Sequence, residues 1–431
     1  MSNLAPDGWN FKQLGDYVSD SAAGEWGNEA QGDQNDIPVL RSTNFTESGI
    51  IDYTKLAFRN IEEKKRIKKA LKKGDILLEK SGGSPAQPVG RVVYFDRDTP
   101  HLFSNFTQKL VPVKDCDSKY LFYKLYFEYQ NGTVLKFQQQ TTGIINFQLA
   151  EYLGFKTIFA PLPEQQKISA ILSSVDDVIE KTRAQIDKLK DLKTGMMQEL
   201  LTKGVGSGGV PHTEFKDSPV GRVPEDWTVC ALDHVVKGII DCEHKTAPYV
   251  ESSEYLVVRT TNVRHGQLIY EDMKFTTRSG FSEWTKRAVP SAGDVLFTRE
   301  APAGESCMVP GGVKICMGQR MVLLRPDTDI IYPFFFSLFL TSETAKLAIY
   351  ELSIGTTVTR INIEDIRRIP CVVPPLEEQK AIYSKIQSIQ SLITSKQEKL
   401  RSQSNVKKAL MQDLLTGKVR VKVDQKESAV A

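Results

Sequence analysis

The chain has 431 residues, 40% of them hydrophobic and 25% charged, and 56 Lys and Arg against 53 Asp and Glu leave a net charge of +3. Such a length holds two to four ordinary globular domains, and no apolar run reaches the roughly 20 residues that span a bilayer; the most apolar stretch, Ile330 to Leu340, is short and broken by Pro333. A charge this close to zero is unlike a dedicated nucleic-acid-binding domain, so any DNA contact needs locally concentrated charge or help from partner subunits.

The N-terminus, MSNLAPDGWN, has neither a basic segment nor an apolar one, so no secretory signal is expected. The six cysteines form no CxxC spacing, which points to a reduced, cytoplasmic protein. Short β-like runs follow, interrupted by a charge-rich stretch from Glu62 to Lys73. Gly74-Asp75-Ile76-Leu77 then reads as a turn entering a buried strand. The loop SGGSPAQPVGR (Ser81 to Arg91) is rich in small residues, and Tyr120 to Tyr129 is an apolar helix. This region predicts an α+β domain at 1–158.

A very long amphipathic helix is predicted next, within 159–203. Its apolar seam runs through Ile168, Leu172, Val175, Ile179, Thr182, Ile186, Leu189, Lys193, Met196 and Leu200. At ~1.5 Å per residue, nearly forty residues give a rod of about 60 Å. The Gly-, Ser- and Pro-rich segment at 204–223 reads as a linker.

From there the chain repeats itself. Trp9 and Leu14 match Trp227 and Leu232, LRSTNF at Leu40 matches VRTTNV at Val258, and Gly293-Asp294-Val295-Leu296 matches the GDIL turn. TREAPAGES (Thr298 to Ser306) takes the place of the first loop with a different sequence between agreeing flanks. Gln319-Arg320 is matched with Gln108-Lys109, and the GTT at Gly355 with the TTG ending at Gly143. A second α+β domain is therefore expected at 224–372. A second long helix follows at 373–417, and a tail at 418–431. Pro161, Leu162, Glu164, Gln165 and Ile168 recur 214 residues later as Pro375, Leu376, Glu378, Gln379 and Ile382, and MQELLTKGV recurs as MQDLLTGKV. The second seam runs through Ile382, Ile386, Ile389, Ile393, Lys396, Leu400, Gln403, Lys407, Leu410 and Leu414. Polar residues midway along a seam suit two helices paired in one register, so an intramolecular antiparallel coiled coil is expected.

Catalytic signatures are missing from this pattern. There is no GxxxxGK[ST] and no NPPY or DPPY segment, and Cys242 with His244 is a single C-x-H pair without a second pair at metal-ligand spacing. No metal site is expected. Asp52, Glu63 and Lys65 approximate the Asp…Glu-x-Lys spacing of metal-dependent endonucleases, but they fall where a charge run produces such matches easily. What remains is recognition. Lys64, Lys65, Arg66, Lys68, Lys69, Lys72 and Lys73 form a basic patch that can neutralise phosphates, with Arg278, Lys286 and Arg287 as its thinner counterpart.

FKDSPVGRVPEDW, PLPEQQKI with PPLEEQKAI, the GDIL and GDVL turns, GTTVTRINIEDIRRIP and MQDLLTGKVRV together resemble the specificity subunit of type I restriction–modification systems, in the family's order and over nearly the whole chain. The resemblance implies two target-recognition domains in tandem, each reading half of a bipartite site in double-stranded DNA and each followed by a spacer helix. It implies two methyltransferase (modification) subunits and restriction/translocase subunits as partners, with S-adenosylmethionine, ATP and Mg on those partners and no cofactor in this chain. DNA contacts are expected at Lys68, Lys69, Lys72, Lys73, Lys80, Ser84, Arg91, Lys109 and Thr142 in the first domain. In the second they are expected at Arg287, Arg299, Arg320, Thr357 and Arg360. The alternatives are a self-contained Mg-dependent endonuclease and a coiled-coil adaptor that never touches DNA.

Overall fold

The computed structural model describes residues 5–84, 86–141, 143–206, 209–355 and 359–423. The chain divides into two compact units, Met1–Arg183 with Glu398–Ala431, and Ala184–Gln397. The division falls inside both long helices, Leu162–Lys203 and Leu376–Leu415. Each unit therefore joins an α+β globule to the first half of one helix and the second half of the other.

In the first unit β1 (Val18–Ala23), β2 (Ile76–Glu79), β3 (Val92–Tyr94) and β4 (Thr107–Pro112) form an antiparallel sheet in the order β1-β4-β2-β3. In the second unit β5 (Val236–Asp241), β6 (Val295–Thr298), β7 (Ser306–Met308) and β8 (Met321–Pro326) repeat it as β5-β8-β6-β7. The GDIL and GDVL turns launch the central strands β2 and β6 identically. Asp75 accepts from the Lys72 N–H at 2.8 Å and Asp294 from the Ser291 N–H at 2.9 Å, while Gly74 and Gly293 take φ of 100° and 92°. A side chain is strained at such angles, which is why glycine stands there twice. All four residues of each central strand are buried, as expected where both faces are covered.

The RTTN-like segments also recur as structure. The Arg41 and Arg259 N–H groups donate to the side chains of Asn44 and Asn262, whose amides reach back to carbonyls eight to eleven and seven to nine residues on. Each globule is closed by a strand pair that brings its start to the strand just before its long helix: Asn10–Gln13 on Lys156–Phe159, and Thr228–Ala231 on Pro370–Val373.

Within each unit the helix segments run antiparallel. In the first, Lys407 Nζ lies 2.6 Å from Asp176. In the second, Lys193 reaches Gln390 at 2.7 Å and Lys396 reaches Gln185 at 2.8 Å, so numbers fall along one helix as they rise along the other. The expected seam residues Leu172, Val175, Ile179, Ile186, Leu189, Ile386, Ile389, Ile393, Leu400 and Leu410 are all buried or half-buried. Lys407 within the seam is buried, lies over the rings of Tyr123 and Tyr126, and holds its Asp176 partner. A seam cation answered at one place favours one register over its shifted alternatives.

The repeated MQELL and MQDLL segments are the ends of these helices, and each packs into the unit that its own globule does not belong to. Met411, Leu414 and Leu415 are part of the first unit's core beside Trp9, Ile168 and Leu172, and the buried Lys124 ammonium caps the Leu415 carbonyl at 3.2 Å. Leu201 joins Trp227 and Ile382 in the second unit's core, with Met197 and Leu200 against it. A clasp closes each helix end. Glu164 accepts from the Trp9 indole at 3.3 Å and from Arg420. Glu378 accepts from the Trp227 indole and His212, both at 2.9 Å, and from the backbone N–H groups of Val205 and Gly206.

Candidate nucleic-acid interface

At one edge of the second unit's main sheet, the ends of β5 and β6 and the start of β8 meet. The Arg299 N–H donates to the Arg320 carbonyl at 2.9 Å, and the Arg299 carbonyl accepts from Ile361 N–H at 2.9 Å. Glu300 bridges Arg360 through the backbone, and Arg360 in turn pairs with Ile354. This weave brings Arg299, Arg320 and Arg360 onto one strand edge.

Their side chains have different jobs. The Arg299 guanidinium is engaged by both oxygens of Asp241, at 3.0 and 2.9 Å, and by the Ile361 carbonyl, which leaves a fifth of it exposed. It therefore holds the end of β5 in place, against the expectation that it reaches DNA. Arg287 is half-exposed, yet it donates to the Asp241 and Cys242 carbonyls and pairs with Glu243 at 3.0 Å, so it too braces that segment. Arg320 and Arg360 are exposed. Thr357 lies outside the described residues.

Among the described residues, two groups of three potential metal ligands gather within 4.8 Å: Asp241 with Cys242 and His244, and His212 with Asp226 and Glu378. In the first, Arg299 already sits on Asp241, which also accepts from the His244 ring at 2.8 Å. In the second, Glu378 is the clasp acceptor described above. Asp52 and Glu63 belong to neither group. The Asp52 carboxylate instead caps its own turn, accepting from Thr54 through its hydroxyl and backbone N–H, contacts that hold it below the usual carboxylate range.

The first unit weaves the same edge with other residues. Lys80 N–H donates to the Phe106 carbonyl at 2.9 Å, and the Lys80 carbonyl accepts from Phe147 N–H at 2.8 Å. Ser81 and Asn146 pair where Glu300 and Arg360 do. Phe106 thus holds the place of Arg320. The match of Gln108-Lys109 to Gln319-Arg320 is corrected by strand register, because Thr107 faces Glu79 as Met321 faces Thr298.

Two expected contacts turn inward. Lys109 is buried, with Nζ 3.4 Å from the Ala70 carbonyl and 4.0 Å from Asp75. Arg91 is buried against Glu79 at 2.7 Å and donates to the Phe45 and Ser42 carbonyls. A buried guanidinium needs a carboxylate and satisfied N–H groups, and Arg91 has found them inside the fold. Neither side chain is available to a groove. Lys68, Lys72 and Lys73 are exposed, Lys73 with Asp98 at 3.5 Å, while Lys69 is half-buried on Glu25 and the Gly24 carbonyl. Partial burial and the neighbouring Lys69 charge lower the pKa of Lys80. Ser84 is exposed but bonds Gln87 within its own loop, and Thr142 lies outside the described residues. Sequence reasoning missed Phe106. A lone Phe in SNFTQ carries no signal until strand pairing shows its ring left outside.

The type I restriction modification DNA specificity domain matches residues 6–191 and 224–403. The chain is 31% identical over 324 residues to the type I restriction enzyme MjaVIII specificity subunit of Methanocaldococcus jannaschii, covering 72% of each chain. It is 23% identical over 444 residues to the MjaIX specificity subunit of the same organism, covering 96% of this chain and 94% of the other. The fold is similar to that of a chain from a solved type I R-M system, with a TM-score of 0.57 at 17% identity, covering 97% of this chain and all of that one. Among the described residues, no helix is long and apolar enough to cross a membrane.

Proposed function

The chain belongs to the type I restriction modification DNA specificity family as a non-catalytic specificity subunit, and we propose that it reads a bipartite target in double-stranded DNA. Each unit reads one half. The paired long helices set the length of the unread spacer and provide the surface on which two modification subunits and the restriction/translocase subunits assemble. S-adenosylmethionine, ATP and Mg act on those partners, in the cytoplasm.

One observation carries this reading. Two units share turns, strand order, helix register and clasp, yet differ in side-chain chemistry at the same strand edge, Lys80 and Phe106 against Arg299 and Arg320. A scaffold repeated with its tips changed suits two readers of two sequences, since base edges are told apart by side-chain chemistry while phosphate contacts only set position.

Sequencing of adenine methylation in host DNA, with and without this chain, tests it. The expected result is a two-part site that disappears with the chain. A continuous site, or methylation unaffected by its loss, would overturn the proposal. Cleavage of DNA by the purified chain with Mg, abolished by Asp52→Ala, would favour the endonuclease instead. Matched heptad insertions in both helices, one of them between Glu180 and Leu189, should lengthen the spacer and leave both half-sites unchanged.

A further inference from the structure

We infer that the residue just before β4 and β8, Phe106 in one unit and Arg320 in the other, is the base-reading position of its unit. In this assignment Arg320 takes the O6/N7 edge of a guanine and Phe106 takes the methyl group of a thymine. The inference rests on the proposed DNA-reading role and adds to it the residue and the base chemistry.

The two positions are equivalent by backbone, since each carbonyl accepts the N–H of the residue that follows the central strand, at 2.9 Å in both units. Both are tips. The Phe106 residue is 47% exposed and the Arg320 side chain 52%, while the next residues along, Thr107 and Met321, are fully buried. A strand that sinks at once anchors the side chain just before it at a fixed point, which is what a reading group needs.

Neither side chain is held tightly by the fold. Among the described residues, Phe106 belongs to none of the apolar cores, although a phenylalanine ring is among the side chains most stabilised by burial. Arg320 has an ion-pair neighbour in Glu300, but at 3.6 Å the pair is loose. Its neighbour Arg299 differs in both respects, being four-fifths covered and bound by two carboxylate oxygens. Arg320 also holds φ of +67°. A side chain with a β-carbon is strained there, and such strain gathers at functional sites.

The surroundings suit a duplex. In the first unit Lys80 lies beside this position, its N–H on the Phe106 carbonyl at 2.9 Å, and supplies a cation that can meet a phosphate. In the second, the Arg360 backbone joins the same weave through Glu300. An arginine fork matches guanine in the major groove, where a bidentate pair discriminates by on the order of tenfold or more, and an apolar ring matches the thymine methyl.

The test uses the complete modification complex with wild-type chain, Arg320→Ala, Arg320→Lys, Phe106→Ala and Phe106→Leu. Methylated sites are sequenced, and thermal unfolding of each chain is recorded. Arg320→Ala is expected to slow methylation of the wild-type site about tenfold and to admit other bases at one guanine of one half-site. Arg320→Lys keeps the charge without the fork, so it should relax that guanine while retaining more of the rate. Phe106→Ala should relax one thymine of the other half-site, and Phe106→Leu should largely restore it. Unchanged half-sites with normally folded variants would overturn the inference, as would relaxation of a different base or of the same half-site by both. If the wild-type complex gives no bipartite pattern, the proposed function itself falls and the inference with it.

Discussion

The two units differ most where they are otherwise most alike. In the first, Glu79 at the end of β2 and Arg91 just before β3 form a buried ion pair. In the second, Thr298 and Glu305 hold those places, with the same backbone exchange and no such pair; Glu305 accepts from the His265 N–H at 2.6 Å. The helix-end clasps show the same divergence: Glu164 is answered by an arginine, and Glu378 by a histidine and two backbone N–H groups. The backbone hydrogen bonds define the scaffold, and several side-chain sets satisfy it. A charged residue in a repeat is therefore assigned a role by its burial and partners, and its chemical type alone is a poor guide.

The largest test of this comparison is Arg91→Ala. It leaves the Glu79 carboxylate buried without its partner and the Phe45 carbonyl without its arginine donor, at an expected cost of about 3–5 kcal/mol. Glu305→Ala, at the equivalent place, should cost about 1 kcal/mol. Urea unfolding of both variants decides; equal losses would mean that the units are not balanced differently.

Next come the clasps. Glu378→Ala strands the Trp227 indole and two backbone donors, for an expected loss of about 2–4 kcal/mol, whereas Glu164→Ala strands one indole beside the part-exposed Arg420 and should cost about 1–2 kcal/mol. Hydrogen exchange resolved by unit would show each loss in its own unit.

The basic patch should act on binding and hardly on stability. Replacing exposed Lys68 and Lys72 by alanine is expected to reduce the slope of log affinity against log salt by about 1 for each phosphate left without its lysine, with the half-sites unchanged. An unaltered slope would remove those lysines from the interface.

The smallest effect concerns acid. Burial raises the Glu378 pKa, but His212, Trp227 and the Gly206 and Val205 N–H groups outweigh it and hold the group below its ordinary 4.5. A depressed carboxylate stabilises the fold above its unfolded value and loses that contribution as pH falls through the folded one. Glu378→Gln should therefore flatten the stability of the second unit below about pH 4.5. A curve as steep as wild type would mean that other carboxylates carry the acid response.

Much of the fold was legible in the sequence. The repeat at an offset of 214 residues, the GD turns and the two apolar seams are local patterns, and each is set by chemistry that acts within a few residues: glycine at positive φ, an aspartate capping its own turn, apolar groups at helical spacing. The candidate interface was legible only in part. Exposed Lys68, Lys72, Arg320 and Arg360 stood where charge would be sought, but Arg91, Lys109 and Arg299 were chosen for the same charge and turned out to be braces.

Three things were decided only by the tertiary structure. Strand register put Phe106 in the place of Arg320 and moved Lys109 inside, because an odd shift, here of three residues, changes which side chains face water. Long-range pairing committed Arg299 to Asp241, fifty-eight residues away. And each helix end packed into the core of the globule that it does not directly follow in the chain, so that MQELL and MQDLL, alike in sequence logic, serve different globules. The sequence determined which elements form and that they form twice, since propensity and periodicity act locally. Which charges are free to meet another molecule depends on burial, a sum over neighbours distant in the chain.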